Sequence, residues 1–512
     1  MIIESIRPAL AVGTCFIAAL LILIFGNKIR PNLREAITMI ASVVMAGFVF
    51  SMVPDVLSGN TYMAKLWCIV DGIELTLKTD NAAMVFACVS SGLWIVTSVY
   101  SIGYVRGHNE KNQTGYFAAF ATCIGAAIGI ALAANLITFF VFYEILTIAT
   151  YPLVCHYRDD KAKASGRKYL AYTLISGQIF FAGIIFVYVK YGTLDFVPGG
   201  FISPETLPAE LMCILFFMMI VSGAVKAGVM PLHGWLPSAM VAPTPVSALL
   251  HAVAVVKAGA FCVLRVVCYV FGPESASWCN GATILSWFAV GTIIISSLIA
   301  LRQDNLKARL AFSTVGQLSY IVLGISLLSF YSIGGALFHI VAHALLKITL
   351  FMCAGAIFVT TGLSEISTMG ALHKKMPITS LCFGAASLGI AGMPLMIGFI
   401  SKFNIIEGAF VMGKLFAIVT LIAAALLALS YLMPVVQIFF GKETKVSDHT
   451  GHHGHHEHKG FDAAPAMLIP LTITIILAII LGFEPNAGVN LYDIALAAAK
   501  EIVGEGGAYL AG

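Results

Sequence analysis

Glu144, Lys226, Lys257, Lys347 and Lys402 each stand inside a run of residues too apolar to hold a charge cheaply. An ionised side chain at the centre of a membrane helix costs on the order of 2.5–3.5 kcal/mol on insertion scales, so five of them rival the stability of a whole domain. Such groups persist where they are paired, neutral or bathed by water in an internal cavity, and each of those conditions suits a residue that takes up and passes on protons. His339, His343 and Lys347 recur at i, i+4 and i+8 and form a gently drifting stripe on one helix face. Imidazole titrates near neutrality and has two distinct nitrogens, so a proton can hop along that stripe. His251 and Lys257 have a spacing that a regular helix does not put on one face, and their cooperation requires a bulge or a bridging water. A lysine near a helix end can instead snorkel to the interface, a reading that suits Lys347 and Lys402 better than Lys226 or Lys257.

The elements that must hold these groups follow from hydropathy. The 512 residues are 59% hydrophobic and 11% charged, with a mean hydropathy of +0.95, which excludes a soluble protein. The expected fold is an all-α membrane bundle with about 14 transmembrane helices, since a bilayer core needs roughly 20 apolar residues per crossing. The first apolar run, from Pro8 to Phe25, ends at Asn27-Lys28 without a small-residue cleavage site and reads as a retained helix. A net charge of +4 with its cations in short loops gives no support to nucleic-acid binding. Those loops, among them Lys28 to Arg34, Arg106 to Lys111, Arg158 to Lys168 and Arg302 to Arg309, all follow odd-numbered spans. Both termini are therefore expected outside the cytoplasm of a cell inner membrane. The eleven cysteines include no CxxC pair, so no iron–sulfur cluster, redox site or other cofactor is expected on this chain.

Two apolar spans are interrupted alike, at Lys226-Ala-Gly-Val-Met-Pro231 in span seven and at Gly392-Met-Pro394-Leu-Met-Ile-Gly398 in span twelve. Proline removes a backbone hydrogen bond, and freed carbonyls at membrane depth are tolerated only within protein or beside water. The matched breaks predict two inverted five-helix repeats, about 114–271 and 281–440, within a single polytopic domain. A polar, low-complexity segment over 442–462, on the expected cytoplasmic side, carries His452, His453, His455, His456 and His458. Those imidazoles could bind a divalent metal, but the spacing fixes no geometry and a solvated loop is the preferred reading. The tail over 485–512 has a stretch from Val489 to Ile502 that reads as a surface helix.

From span three to span thirteen the chain resembles the antiporter-like membrane subunits shared by respiratory complex I, energy-converting membrane hydrogenases and Mrp-type sodium/proton antiporters. The motif that carries the resemblance runs from Lys226-Ala-Gly-Val-Met-Pro-Leu-His-Gly-Trp-Leu-Pro237 through Ala242-Pro-Thr-Pro-Val-Ser-Ala-Leu-Leu-His251 to Val256-Lys-Ala-Gly259. Phe142-Tyr-Glu-Ile145, His343-Ala-Leu-Leu-Lys-Ile-Thr-Leu-Phe351 and Gly398-Phe-Ile-Ser-Lys402 support it. The resemblance implies that Glu144 pairs with Lys226, that Lys257 is the central lysine of span eight, that His339, His343 and Lys347 connect two half-channels, and that Lys402 ends the relay. Approach of Glu144 would stabilise the Lys226 ammonium, and separation would let burial expel its proton towards Lys257. Within the family the chain most resembles the D-type component of Mrp antiporters.

The resemblance implies work inside a larger membrane assembly, with protons as cargo and sodium as a candidate exchange ion. Two drivers fit equally, an ion gradient in an Mrp-type exchanger or redox chemistry on partner chains of a hydrogenase or NADH:quinone oxidoreductase. A scaffold that has lost transport would lack intramembrane charges, and Glu144, Lys226, Lys257 and Lys402 are all present.

Overall fold

A computed structural model describes residues 1–70, 72–442 and 462–504. Among them, 13 helices are long and apolar enough to cross a membrane. They are α1 (Arg7–Phe25), α2 (Pro31–Leu57), α3 (Asn81–Gly107), α4 (Gln113–Leu132), α5 (Leu136–Val154), α6 (Asp160–Tyr191), α7 (Ala209–Ala227), α8 (Thr244–Trp278), α9 (Gly281–Leu301), α10 (Leu306–Ser326) and α11 (Phe330–Thr361), then, beyond span twelve, Leu415–Phe439 and Pro465–Phe483. Span twelve is a pair of half-helices, α12 (Pro377–Ala391) and α13 (Ile397–Val411), so the two later helices become α14 and α15. The expected crossings are all present, and the chain is a multi-pass membrane protein.

Helix ends carry the signals that local chemistry demands. Asp80, Asn135, Asp159 and Asn305 cap α3, α5, α6 and α10 through side-chain oxygens that accept from the first-turn N–H groups of Ala83, Thr138, Ala162 and Ala308. Asn135 and Asn305 also form isolated antiparallel bridges, to Asp195 and Glu365, at the same separation along the chain. Both expected breaks occur, with Gly228 and Gly392 in left-handed conformation ending α7 and α12. The carbonyl of Val225, freed at the first break, accepts from Trp235 Nε1 at 2.7 Å, and the Met230 N–H donates to Thr292 Oγ1 at 3.0 Å.

α8 and α11 form the centre. Their most apolar windows are 100% buried, against 39% for α1, α6, α14 and α15, whose outer faces are left for lipid. α8 is irregular, with π-helical turns at Leu249–Val253 and Val266–Phe271 and a break at Ala254 (φ −106°, ψ −80°). The first π-turn and the break separate His251 from Lys257, yet Lys257 bonds His343 and no hydrogen bond joins it to His251 among the described residues.

Two features depart from expectation. A three-stranded sheet joins β1 (Ile2–Glu4), parallel, to β2 (Thr61–Val70), which pairs antiparallel with β3 (Ile73–Lys78). Its cations Lys65 and Lys78 and its short length left it below any hydropathy threshold, although its Thr, Val, Ile and Trp content favours strand. The tail helix α16 (Leu491–Val503) is not a free surface helix, because it packs on α3 and α11. Asn81 Nδ2 donates to Glu501 at 2.7 Å and Asn404 Nδ2 to Tyr492 at 2.9 Å, which ties α16 to α3 and α13. The histidine run from His452 to His458 lies outside the described residues.

α7 crosses α8 at Gly223 and Gly259. A Cβ on Gly259 would lie 2.4 Å from the Ala227 nitrogen and 2.7 Å from Lys226 Cβ. Gly259→Ala is expected to lower stability by about 1–3 kcal/mol, whereas Gly291→Ala, with nothing within 4 Å, is expected to be neutral. Equal thermal unfolding of the two variants in detergent would contradict this account of the crossing.

Candidate functional site

The intramembrane charges gather on the buried helices. Lys226, at the C-terminal end of α7, donates to the Tyr143 carbonyl at 2.8 Å and lies over the Tyr143 ring at 3.2 Å from its centroid. Tyr143 is fixed in turn by its hydroxyl, which donates to the Ser222 carbonyl at 2.8 Å. The expected Glu144–Lys226 ion pair is not formed, since no ion pair involves either residue among the described residues. The Glu144 carboxylate is turned onto α6 instead, where the missing side chain of Gly177 makes room; a Cβ there would stand 2.2 Å from Glu144 Oε1.

Lys257 on α8 meets His343 on α11, with Nζ 2.6 Å from Nδ1. Along α11 the His339 and His343 rings are 6.3 Å apart, and His339 Nδ1 lies 2.8 Å from Ser401 Oγ on α13. The His339 ring stacks on Tyr320 of α10 at 5.7 Å, and Lys402 Nζ lies over the same ring at 4.8 Å. Lys402 also donates to the Ile390 carbonyl, in the last turn of the half-helix α12. A cation there faces the negative end of the helix dipole. Lys347 donates to Ser313 Oγ at 2.6 Å and to the Leu310 carbonyl at 3.2 Å, while Ser313 Oγ lies 2.8 Å from the Tyr431 hydroxyl. Lys347 and Lys402 are thus buried and bonded inward, not snorkelling. His251 is fully buried, packs at a tilt on Phe351 at 4.8 Å and finds no protein partner for either ring nitrogen among the described residues.

The structure therefore brings together Lys257, His343, His339 and Lys402 as a continuous row crossing from α8 to α13. Lys226 with Tyr143 stands at one end, and Lys347 and His251 flank the centre. What this arrangement offers is a row of titratable side chains buried between helices.

A family model described as "NADH:quinone oxidoreductase/Mrp antiporter, TM" matches residues 133–428. The chain belongs to that family. All eight sequence-derived site residues, from Glu144 to Lys402, fall inside the matched region. The A/B component of a probable K(+)/H(+) antiporter of Rhizobium meliloti (strain 1021) is 32% identical over 72% of this chain and 36% of its own length. NADH-quinone oxidoreductase subunit N of Desulforudis audaxviator (strain MP104C) is 28% identical over 80% of this chain and 81% of its own. The A1 component of a Na(+)/H(+) antiporter of Staphylococcus aureus (strain bovine RF122 / ET3-1) is 28% identical over 88% of this chain and 57% of its own. The chain thus spans only part of the length of the antiporter components that it matches. The fold is shared with a chain of the Mrp complex from Dietzia sp. DQ12-45-1b, at TM-score 0.82 and 19% identity. It is shared equally with a chain of the membrane-bound sulfane sulfur reductase, an archaeal respiratory membrane complex, at TM-score 0.83 and 24% identity. Each superposition covers 97% of this chain and 98% of the other.

Several participating groups escaped the sequence reading. Tyr143, Tyr320, Ser313, Ser401 and Tyr431 carry no charge and so raise no alarm in an apolar run. Arg265 does, and the apolar run Val263-Leu-Arg-Val-Val267 could have exposed it. It is 1% exposed, paired with Asp80 at 2.6 and 3.0 Å, and surrounded by the rings of Phe196, Phe261 and Tyr269. Removing one member of a buried ion pair strands the other charge. Arg265→Met is expected to destabilise the protein by about 3–5 kcal/mol, and adding Asp80→Asn to recover much of the loss. Thermal unfolding of the single and double variants measures both, and additive losses would refute the pairing as a stability element.

Proposed function

We propose that this chain is the proton-conducting, antiporter-like subunit of a multisubunit membrane complex, with Glu144, Lys226, Lys257, His343, His339 and Lys402 as its relay. The observation that carries the reading is the Lys257–His343 contact at 2.6 Å, which joins the two fully buried helices at the centre of the bundle. A bond between an amine and an imidazole needs one of them to accept, so the pair has a free lone pair on one side and an N–H on the other, the arrangement along which a proton can be passed.

The driving event is charge displacement. Glu144 turned onto Gly177, with Lys226 held by the Tyr143 carbonyl, fits the separated arrangement of the acid and the lysine. Rotation of the carboxylate back towards Lys226 would hold the ammonium, and its departure would favour the neutral amine and pass the proton on towards Lys257. Lys347 and His251 adjoin the central pair as side branches, and Lys402 serves the far end. Two five-helix repeats organise this path, a reading supported by the breaks in spans seven and twelve and by the equivalent bridges Asn135–Asp195 and Asn305–Glu365. Basic loops after odd-numbered spans support a cytoplasmic-membrane location with both termini outside.

Sodium is the proposed exchange ion in an Mrp-type complex, in line with relatives named as components of Na(+)/H(+) and K(+)/H(+) antiporters. A redox-driven pump is the second reading, favoured by the near full-length match to a NADH-quinone oxidoreductase subunit and by the fold shared with a respiratory sulfur reductase. Mass spectrometry of what co-purifies separates them. Iron–sulfur or flavin subunits select the redox pump, and a set of small hydrophobic membrane subunits selects the exchanger.

Lys226→Ala and Lys257→Ala are each expected to abolish coupled proton translocation in everted vesicles while the complex still assembles on native gels. Transport surviving in both variants would sink the relay.

A further inference from the structure

The segments that follow spans three, five, nine and eleven meet around a cavity of about 320 Å³ lined by Tyr104, His108, Tyr157 and Lys307. Beside it Glu110, in the loop between α3 and α4, gathers three donors. His108 Nδ1 lies 3.0 Å and Tyr157 Oη 2.8 Å from Glu110 Oε1, and His156 Nε2 lies 3.3 Å from Oε2. Burial raises the Glu110 pKa, but the bonds from His108, His156 and Tyr157 together outweigh it and hold the carboxyl lowered to about 2. Glu110 is thus a fixed negative charge with two imidazoles against it.

Other groups facing Glu110 are few. Tyr104 on α3 and Tyr116 on α4 are neutral phenols within its field, and Lys307 on α10 is the cation across the cavity. Nearby Arg106 is engaged by Glu35 on α2.

From the cavity a polar stripe leads inward. Lys307 Nζ donates to the Ala242 carbonyl at 3.0 Å, just ahead of α8. Thr244 Oγ1 donates to the Tyr104 hydroxyl at 3.5 Å. Thr244, Ser247 and His251 follow at i, i+3 and i+7, the spacing of one helix face. Ser247 and His251 are 0% exposed and neither has a protein partner for its side-chain polar atoms. The His251 ring lies on Phe351, one turn beyond Lys347 on α11, which brings the stripe to the relay.

We propose that the Glu110–His108–His156–Tyr157 cluster is a proton-collecting site, and that Lys307, Thr244, Ser247 and His251 connect it to the Lys257–His343 pair. The proposal rests on the relay described above. Glu110 acts here as a positioning charge that draws protons to the cavity, and the imidazoles bonded to it are the groups that hand them on.

The test is the rate of proton uptake from the basic-loop side by the intact complex in everted vesicles, measured against pH for Glu110→Gln. Loss of the carboxylate is expected to slow uptake severalfold at the alkaline end of the profile, where protons are scarce and a collecting charge matters most. The rate is expected to recover towards that of the unsubstituted complex as the pH is lowered. An unchanged profile, or the same fractional loss at every pH, overturns the proposal. Ser247→Val, which breaks no protein hydrogen bond, is expected to slow uptake severalfold in a normally assembled complex, and an unaltered rate equally overturns it. Lys257→Ala run in parallel separates the two ideas. Its inactivity beside unaffected Glu110→Gln and Ser247→Val variants discards the entry path alone, whereas its full activity discards the relay.

Discussion

An amine and an imidazole 2.6 Å apart, Lys257 and His343, set the terms for the rest of the bundle. Both are buried, on the two helices most completely enclosed by the others. Two adjacent cations there would repel strongly in a low-dielectric setting, and two neutral groups would offer a single donated hydrogen. The contact therefore has at least one neutral partner, which accepts the hydrogen bond from the other. Helices α8 and α11 have to be central for this to work, because access of bulk water would screen the charge and dissolve the coupling.

The surrounding structure supplies backbone where a soluble protein would supply carboxylates. Lys226 rests on the Tyr143 carbonyl, Lys347 on that of Leu310 and Lys402 on that of Ile390. A carbonyl dipole holds an ammonium less firmly than an ion pair does, which suits the proposed relay. The broken helices serve the same end. A half-helix that stops at membrane depth presents carbonyls to a cation, and this is the position of Lys402 against α12. Firm ion pairing is kept for the ends of the spans, where Arg265 and Asp80 fasten α8 to α3 beside the tail helix.

Glycine makes several of these meetings possible. Without a side chain at 259, α7 and α8 pack closely beside Lys226, and without one at 177 the Glu144 carboxylate has room to lie against α6. In the proposed relay this is the open arrangement of Glu144 and Lys226, since a permanently closed ion pair would hold its proton.

Residue order alone determined the number of crossings, the two breaks and five of the intramembrane charges, because hydropathy, proline and the cost of a buried charge act locally. The α11 stripe was legible for the same reason, since His339, His343 and Lys347 share one helix. Partners on different helices were not. Whether Lys257 meets His251 or His343, whether Glu144 faces Lys226 or Gly177, and that uncharged Tyr320 and Ser401 bridge the row all depend on how distant segments pack. Tertiary structure decided these points, as it decided that a polar stretch after α2 pairs as a sheet and that the tail lies on α3 and α11, because a hydrogen bond or a ring stack forms only once the backbones that carry its two ends have been brought within a few ångströms.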